Sequence, residues 1–445
     1  MPILHNMKLI DMVSERVQTG KAVIVDGNKI AEIRGDGLPH DPSRRDFIDM
    51  QGYYLLPGIF DLHSHVTIPF MKDIKLSILP TILRQVQKNL RNCVEGGVTT
   101  VRDLAAIPNS VRSYQKNINA GKTIGPRIIY AGSIIVCPGG VPEVAPYFKG
   151  IKRAILGGQF AERPVTPEDV RRCVQLMVKQ GAEWIKTTHG DKSLMMGWDK
   201  IPYFSDECYQ ALVGESRKAG KKIAMHHTSA TGFRKALQFK VDTLEHVALD
   251  ELSDKDISTF VEQGVAIIPT LMALAEYSQL DDVRHMLDKK GDYYLEKEPY
   301  QYTSDLVNKF IQGVTEEDCS KEYYYDYKCI QKQFPVALEN VRRLHKAGAV
   351  IGLGTDIGGT DFGFFGLTYK ELGHLVAAGM SNFEALKTAT ITSARIIGLD
   401  SKLGSIETGK LADFILVEGN PLDDVGLLKN VKMVWKNGEI VYNRL

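Results

Sequence analysis

The sequence of 445 residues predicts an α/β fold, a (β/α)8 TIM barrel with a small β-sandwich that is formed by both termini. Eight short apolar runs alternate along the chain with longer stretches of helical periodicity, which is typical of repeated β–α units around parallel strands. No glycine-rich phosphate loop follows the first of these runs, so the alternative of a doubly wound open sheet is disfavoured. Runs rich in β-branched residues at the two chain ends predict the additional β structure.

Both ends of the sequence predict strands and hairpins, and we expect residues 1–56 and 403–445 to form one composite β-sandwich. Near the start, KAVIVDGNKIAEI places an Asp-Gly turn between two runs of β-branched residues. Near the end, LADFILVEG precedes VKMVWKNGEIVY, in which Asn437-Gly438 predicts a second hairpin. The barrel is then expected over residues 57–402.

The barrel strands are expected where an apolar run stops at polar or charged residues. Eight parallel strands with intervening helices close into a barrel of about 250 residues or more. The eight runs are LLPGIFDLH, VTTVRDL, RIIYAGS, EWIKTTH, KIAMHH, DTLEHV, VAIIPT and VIGLGTD.

The interval between the seventh and eighth predicted strands is too long for one helix and two loops, so we expect an insertion around residues 275–340. Two interpretations of this tyrosine-rich segment stay open. It is a lid or subunit contact, or it is a solvated helical excursion whose tyrosines pack locally. Eight of the 18 tyrosines fall there: Tyr293, Tyr294, Tyr300, Tyr302, Tyr323, Tyr324, Tyr325 and Tyr327.

The composition favours a small-molecule substrate over a charged macromolecular partner. The chain has 55 basic and 54 acidic residues, and this balance gives no electrostatic basis for binding nucleic acid or an anionic membrane. The six cysteines are scattered without CxxC spacing, as expected of reduced thiols in the cytoplasm. The sequence shows no signal-peptide pattern and no apolar stretch of bilayer length, so we expect a cytoplasmic protein without a membrane partner.

Side chains that can bind a metal stand where five of the predicted strands end. Because the C-terminal ends of barrel strands meet on one face, these side chains are expected to converge. His63 and His65 occupy positions i and i+2 of one strand and therefore point the same way. The candidate metal-binding residues are His63, His65, Lys186, His226, His246 and Asp356.

This set of residues favours a binuclear zinc centre. A single strand-end histidine is commonly a hydrogen-bonded core residue, but several at the same end of one barrel point to a shared ligand. Four imidazoles and a carboxylate suit Zn²⁺ or a similar divalent ion. Two neighbouring ions would favour a carbamate formed from the Lys186 amine and CO2, which would give an anionic bridge between them.

The same residues lie in stretches that resemble the binuclear amidohydrolases, in particular the prolidase-like and imidazolonepropionase-related branch that includes ochratoxin-hydrolysing amidases. The resemblance covers nearly the whole chain and rests on LLPGIFDLHSH, GGVTTVRDL, GAEWIKTT, VDTLEHV, IGLGTD and GSIETGKLADFILVEGNPLDD. It implies that the two first-strand histidines and Asp356 hold the more buried ion. It also implies that His226 and His246 hold the outer ion and that carboxylated Lys186 bridges the two.

Two substrate-contacting positions of that family are changed in this chain. Peptidase-like members place a histidine after a Gly-Gly turn following the third strand, where this chain has Val141. They commonly place another two residues beyond the fifth-strand ligand, where this chain has Thr228. His189 and His227 are therefore candidate substitutes for substrate binding.

The expected function is hydrolysis of an amide or peptide-like carbon–nitrogen bond in a small molecule by a metal-bridging hydroxide, with Asp356 as general acid and base. Three alternatives stay open, namely a cyclic amide, lactone or carbamate hydrolase, a mononuclear deaminase, and a non-catalytic barrel scaffold. Arg102 and Asp103, at the end of the second strand, are expected to form an ion pair that is more structural than catalytic. A homo-oligomer is expected because relatives often assemble.

Overall fold

The computed structural model describes residues 1–35, 46–67, 79–141, 160–191, 201–311, 321–359 and 362–445, and over 321–331 it describes the backbone alone. Strands of both chain ends and a central set of parallel strands make up its β structure. Within the described ranges, every helix is too short or too polar to cross a membrane.

The two ends of the chain form one eight-stranded sheet. Its strands are β1 (Ile3–Leu9), β2 (Gln18–Asp26), β3 (Lys29–Gly35), β4 (Phe47–Asp49), β5 (Tyr54–Pro57), β16 (Phe414–Val417), β17 (Val431–Lys436) and β18 (Glu439–Asn443). The order is β18-β17-β16-β5-β1-β2-β3, with β4 paired to β1. Asn437 and Gly438 turn the last hairpin with φ values of 52° and 80°. Two positive φ values are what a two-residue hairpin turn of this type requires, so the Asn-Gly pair explains the turn.

Parallel strands fill the middle of the chain. They are β6 (Ile59–Ser64), β7 (Val98–Asp103), β8 (Arg127–Tyr130), β9 (Ile134–Ile135), β10 (Ala161–Glu162), β11 (Trp184–His189), β12 (Lys222–His227), β13 (Thr243–Glu245), β14 (Ala266–Ile268) and β15 (Val350–Ile351). They form two sheets, of order β6-β7-β8 and β10-β9-β11-β12-β13-β14-β15. Each of the eight predicted runs therefore contains a parallel strand.

Backbone hydrogen bonds connect the two parallel sheets at both edges. The Leu62 N–H donates to the Leu353 carbonyl at 2.8 Å, which links β6 to the segment after β15. The Glu183 N–H donates to the Tyr130 carbonyl at 2.9 Å, which links the end of β8 to the start of β11. The strands thus follow one another in the order of a TIM-barrel type fold.

The chain passes from the terminal sheet into the parallel strands at Gly58. The sequence predicts one strand in LLPGIFDLH, but the structure divides this run between β5, which pairs with β16, and β6, which pairs with β7. A Cβ atom on Gly58 would overlap the Thr99 side chain. Only glycine allows the close approach at this crossing between the two sheets.

Helices connect and cover the parallel strands. They are α1 (Leu79–Glu95), α2 (Pro108–Asn119), α3 (Pro167–Lys179), α4 (Asp206–Lys218), α5 (Ala230–Phe239), α6 (Asp254–Gln263), α7 (Leu271–Ser278), α8 (Leu280–Tyr294), α9 (Lys297–Ile311), α10 (Lys321–Lys346), α11 (Thr368–Ala377), α12 (Asn382–Thr388) and α13 (Ile391–Ile396). Capping boxes at Thr166 and Ser253 begin α3 and α6, so side-chain hydrogen bonds in the sequence fix where these helices start.

The expected insertion contains helices that pack on α1. Four helices, α7 to α10, lie between β14 and β15. Tyr294 is 8% exposed and its ring centroid lies 5.2 Å from that of Phe364. The exposed Tyr293 donates a hydrogen bond from its hydroxyl to Glu95 of α1. These contacts pack the two tyrosines against distant parts of the chain and leave both interpretations of the insertion open, whereas the side chains of Tyr323, Tyr324, Tyr325 and Tyr327 lie outside the described part.

Two apolar cores stabilise the two β structures. The larger core lies among the parallel strands and their helices and includes the fully buried Phe233 and Phe260. The smaller core belongs to the terminal sheet and includes Phe414 and Trp435, which are 0% and 3% exposed. Burying one large apolar side chain contributes roughly 1.5–3 kcal/mol, so both cores contribute to the stability of the fold.

Candidate metal centre

His63 and His65 at the end of β6 form one side of the candidate site. They are 1% and 7% exposed, and their ring centroids lie 5.3 Å apart. The two residues are separated by one position on an extended strand, which directs both imidazoles to the same face. The end of β6 thus presents a pair of buried imidazoles on one face, and their role as metal ligands stays a prediction.

His226 and His246 bring two more imidazoles to the same place from neighbouring strands. The His246 ring centroid lies 4.7 Å from that of His63 and 4.5 Å from that of His226. Residue 226 is in β12, and residue 246 directly follows β13. Because β12 and β13 are parallel neighbours, their C-terminal ends deliver both rings to one edge.

Asp356 completes the group from the segment after β15. Its Oδ1 lies 3.1 Å from Nε2 of His65 and 3.4 Å from Nε2 of His63. Ligand atoms of His63, His246 and Asp356 all lie within 4.8 Å of one another, which is a spacing that suits a metal ion.

Lys186 is buried in β11 with its amine unpaired. The side chain is 2% exposed, and Nζ has no hydrogen-bond partner among the described residues. Burial lowers the pKa of Lys186 from 10.5 to about 8, against the opposing effect of Glu245 and Asp356. A buried amine of lowered pKa without a protein partner fits a group that reacts with CO2 or contacts a bound ion better than a structural ion pair.

Burial keeps three imidazoles of the site neutral. It is the largest of the effects that lower the pKa of His63, His226 and His246 well below 6.5, and the nearby Lys186 charge lowers all three further. Neutral imidazole is the form that binds a metal ion. The donor set, four imidazoles, one carboxylate and one unpaired buried amine, therefore fits divalent ions of the zinc type.

Three residues at this end of the strands have strained backbones. His246, Thr270 and Asp356 follow β13, β14 and β15, and their φ values are 70°, 51° and 58°. Left-handed backbone at residues other than glycine costs on the order of 1–3 kcal/mol each and occurs preferentially at functional sites. The strain thus coincides with two candidate metal-binding residues and with Thr270, which contacts one of them.

The predicted ion pair between Arg102 and Asp103 is wrong. Arg102 donates from Nη2 to Glu245 at 2.7 Å, whereas Asp103 accepts from the Thr67 hydroxyl at 2.8 Å. Adjacent residues of a strand point to opposite faces, so two neighbours on β7 cannot share one face. Side chains alternate between the two faces of a strand, so the positions of Arg102 and Asp103 in VTTVRDL would have predicted that they point to opposite faces.

Sequence reasoning also missed three side chains that hold the site residues in place. Glu245 Oε2 lies 2.8 Å from Nδ1 of His63, and the Thr270 hydroxyl lies 2.7 Å from Nδ1 of His246. Asp61 accepts hydrogen bonds from the Thr355 hydroxyl at 2.6 Å and from its N–H at 3.1 Å, next to Asp356. Burial raises the pKa of Asp61 to about 7. Each lies one or two residues from a ligand or ends a strand, but only the fold brings them into contact.

His189 and His227 lie on the opposite face of their strands from Lys186 and His226. His189 Nδ1 lies 3.0 Å from the Tyr209 hydroxyl of α4, and His227 Nδ1 lies 3.1 Å from the Glu245 carbonyl oxygen. Both are fully buried, and burial lowers the pKa of each to about 4. The structure therefore does not group them with the six candidate ligands, and their role in substrate binding stays a prediction.

Comparison with known proteins agrees with this geometry. The profile of the Amidohydrolase family matches residues 54–441. Ochratoxinase from Aspergillus niger is 25% identical over 413 residues, which cover 87% of this chain and 75% of that protein. The crystal structure of a Xaa-Pro dipeptidase with methionine bound in its active site is 26% identical with a TM-score of 0.76, and 99% of each chain is covered.

A further solved structure, a putative prolidase from Bifidobacterium longum, is 26% identical with a TM-score of 0.75 and covers 99% of this chain and 94% of that one. The family profile spans all the parallel strands and the candidate centre described above. The chain belongs to the amidohydrolase family and is a hydrolase that acts on carbon–nitrogen bonds.

Proposed function

We propose that the protein is a metal-dependent hydrolase that cleaves an amide or peptide-like carbon–nitrogen bond of a small molecule. The observation that carries the proposal is the cluster of imidazoles around Asp356, with the unpaired Lys186 amine beside it. Imidazole and carboxylate groups are the ligands that zinc-type ions bind in proteins. Such ions activate water for hydrolysis, so this donor set fits a metal-dependent hydrolase.

The donor positions suit two ions. His63 and His65, with Asp356, would hold one ion at the end of β6, and His226 with His246 would hold the other between β12 and β13. Lys186, carried by β11 next to β12, would bridge them as a carbamate formed with CO2. The carbamate supplies the negative charge that a bridging ligand needs and removes the unfavourable contact between an ammonium group and two cations.

Bound divalent ions supply hydroxide at neutral pH, because they lower the pKa of water from near 16 to about 7, and they polarise a carbonyl group. Asp356 would take the proton of the attacking water at its Oδ atoms. It would then return that proton to the leaving nitrogen, which departs as a neutral amine. Its carboxylate reaches both β6 histidines, so the proton acceptor lies at the centre of the donor group.

The names of the similar proteins favour amide and dipeptide substrates. An ochratoxinase acts on ochratoxin, and a Xaa-Pro dipeptidase acts on a dipeptide. We therefore propose N-acyl amino acids and dipeptides as the first compounds to assay, with cyclic amides as the comparison group.

Metal content per chain tests the proposal directly. Protein purified without added metal, and its Lys186→Ala variant, would be measured by elemental analysis. We expect about two zinc-type ions in the parent chain and a clear loss in the variant, since the bridge is removed. One ion that is unaffected by the lysine change would overturn the binuclear proposal and favour deamination.

We also propose a cytoplasmic location and a homo-oligomeric assembly. Among the described residues, Cys93, Cys137 and Cys208 are free thiols, as expected in a reducing compartment. Light scattering of the purified protein measures the assembly, and a mass equal to one chain would exclude the oligomer.

A further inference from the structure

A buried chain of charged groups leads from Arg102 to the candidate metal centre. Arg102 Nη2 lies 2.7 Å from Oε1 of Glu245, and Oε2 of the same carboxylate lies 2.8 Å from Nδ1 of His63. The side chains of Arg102 and Glu245 are 0% exposed, and that of His63 is 1% exposed. One carboxylate thus joins a guanidinium to a candidate ligand.

The guanidinium of Arg102 is held by three separate strands. Its Nε donates to the Leu62 carbonyl of β6 at 2.6 Å, and its Nη1 donates to the Thr243 hydroxyl of β13 at 3.2 Å. Its plane lies over the ring of Trp184 of β11, 4.4 Å from the ring centroid. Because three strands fix the guanidinium, it in turn fixes which oxygen of Glu245 faces which partner.

A buried ion pair of this kind is poor evidence for stability. Removing two charges from water costs about as much as their attraction returns, and apolar residues of the same volume often stabilise a core better. A function of the pair at the adjacent site explains its position better than a contribution to folding.

Contact with a carboxylate determines the tautomer of His63. A carboxylate oxygen accepts hydrogen bonds but has no proton to donate, so the His63 Nδ1 atom carries the hydrogen. Its Nε2 atom is then a bare lone pair, and this is the atom that lies 3.4 Å from Oδ1 of Asp356. The Glu245 carboxylate therefore directs the metal-binding nitrogen of His63 toward the centre.

We propose that Glu245, oriented by Arg102, is a positioning residue that fixes the tautomer and ring orientation of His63 and thereby sets the metal affinity of the centre. The inference rests on the proposed function, because it needs a metal ion at His63. Partners of this kind typically change metal affinity by about 10- to 100-fold when they are removed.

The substitution Glu245→Gln tests the direction of this hydrogen bond. Arg102 repels an amide NH2 group, so the glutamine oxygen must face Arg102 and the NH2 group must face His63. The NH2 group donates to Nδ1 and forces the hydrogen onto Nε2, which cannot then bind a metal. We expect zinc affinity to fall by about 10- to 100-fold.

The double substitution Arg102→Met with Glu245→Gln provides the rescue. Without the guanidinium, the glutamine side-chain amide can flip. Its oxygen then accepts a hydrogen bond from Nδ1 of His63, and its NH2 group donates one to the Thr243 hydroxyl. The methionine keeps apolar volume against Trp184. We expect the double variant to bind zinc more tightly than Glu245→Gln alone, an order of effects that lost stability would not produce.

Zinc affinity would be measured by competition between the apo-protein and a chromogenic chelator, with zinc ions alone as the probe. Asp413→Asn is the matched control, because Asp413 is a buried acid directly before β16 that is bonded to Arg127 at 2.9 Å. We expect the control to bind zinc like the parent. Equal zinc affinity in Glu245→Gln and the parent would overturn the positioning role, whereas a parent that binds no zinc would overturn the proposed function instead.

A second measurement does not depend on the double variant folding. In apo-protein labelled with ¹⁵N-histidine, nitrogen chemical shifts distinguish the two neutral tautomers of His63. We expect Nδ1–H in the parent and Nε2–H in Glu245→Gln. The same tautomer in both proteins would contradict the proposal.

Discussion

Asp356 is a residue whose backbone and side chain both serve the site. Its φ of 58° lies in the left-handed region, which asparagine and aspartate tolerate better than other residues with a Cβ atom. This conformation turns the carboxylate back onto Nε2 of His63 and His65, at 3.4 and 3.1 Å. The residue type therefore satisfies the backbone as well as the chemistry.

The substitution Asp356→Asn separates those two roles. Asparagine tolerates the same φ and keeps one oxygen, so we expect the variant to fold and to keep most of its metal. It cannot accept the proton of the attacking water, so we expect the turnover number on an amide substrate to fall by about 10²- to 10⁴-fold. Asp413→Asn, the same change at a buried aspartate directly before β16, is the control and should keep its turnover. A near-normal rate in Asp356→Asn would remove Asp356 from the proton transfer.

Residue chemistry at strand ends could be predicted from sequence, and contacts across strands could not. The six candidate ligands were predictable because parallel strands bring their C-terminal ends together whatever their exact register. The bond between Glu245 and His63 joins residues 182 positions apart and depends on register and strand tilt. The Arg102 and Asp103 prediction failed because adjacency in sequence was taken as proximity on a strand.

At the scale of elements, the connection from β15 to α11 is shaped by glycines. A Cβ atom on Gly359 would lie 2.6 Å from Oδ1 of Asp356 and 2.8 Å from Cδ2 of His65. Real Cβ contacts are longer than this, so the space beside the carboxylate is available only to glycine. The Gly-Gly pair after Asp356 thus keeps this connection close to the site.

The substitution Gly359→Ala should displace the Asp356 carboxylate. Because the added methyl group would overlap Oδ1, we expect catalytic efficiency to fall at least tenfold, as small displacements of reacting groups commonly cause. Thermal unfolding should change little, since the strain can be relieved by rotation of one side chain. Gly373→Ala is the control, because a Cβ atom at Gly373 of α11 meets no atom within 4 Å. Equal loss of activity in both variants would contradict this interpretation.

Helix α11 carries a partly buried histidine, His374, that we expect to make the fold sensitive to acid. Burial lowers the pKa of His374 from 6.5 to about 4, with a smaller contribution from Lys370, and its ring contacts Phe334 of α10 at a centroid distance of 5.7 Å. The folded chain therefore keeps this imidazole neutral where the unfolded chain binds a proton. Stability is retained above pH 6.5 and is lost as the pH falls from 6.5 toward 4.

Substitution of His374 by glutamine should reduce that loss. The lowered pKa of His374 corresponds to at most about 3 kcal/mol of pH-dependent free energy of unfolding. We expect the difference between the unfolding temperatures at pH 7.5 and pH 5 to be smaller in His374→Gln than in the parent. His285→Gln, at an exposed position of α8, should leave the difference unchanged. An unchanged difference in His374→Gln would assign the acid sensitivity to other groups.

At the scale of the whole molecule, the terminal sheet and the parallel strands are joined by covalent and polar links. β5 leads through Gly58 directly into β6, which carries His63. Arg127, at the start of β8, bonds to Asp413 at 2.9 Å, and Lys436 of β17 donates to the Gly125 carbonyl at 2.5 Å. We therefore expect loss of the terminal sheet to unfold the parallel strands as well.

The substitution Trp435→Ala tests this coupling. Trp435 is 3% exposed in the smaller core, and removing a buried residue of this size costs about 3–5 kcal/mol. We expect one unfolding transition at a lower denaturant concentration, with barrel and terminal sheet lost together. Ile440→Ala on β18, where the side chain is 43% exposed, should have a small effect. Two separate transitions in Trp435→Ala would show that the two parts unfold independently.

The larger plan of the chain was predictable because its strands are marked by composition. All eight parallel runs and the pairing of both chain ends in one sheet follow from apolar runs and turn residues. The helices between β14 and β15 could be placed from the length of the interval alone. Their packing against α1 was not predictable, because it depends on side-chain contacts such as those of Tyr293 and Tyr294 with distant residues.

The three residues with left-handed backbone after β13, β14 and β15 create a trade-off between the stability of the fold and the activity of the site. Glycine would relieve the strain at His246, Thr270 or Asp356 and would remove a side chain that forms or supports the site. Selection for thermal stability alone would therefore favour substitutions at these positions that lower the activity. Engineering a hardier variant must leave these three positions untouched and seek its gains elsewhere.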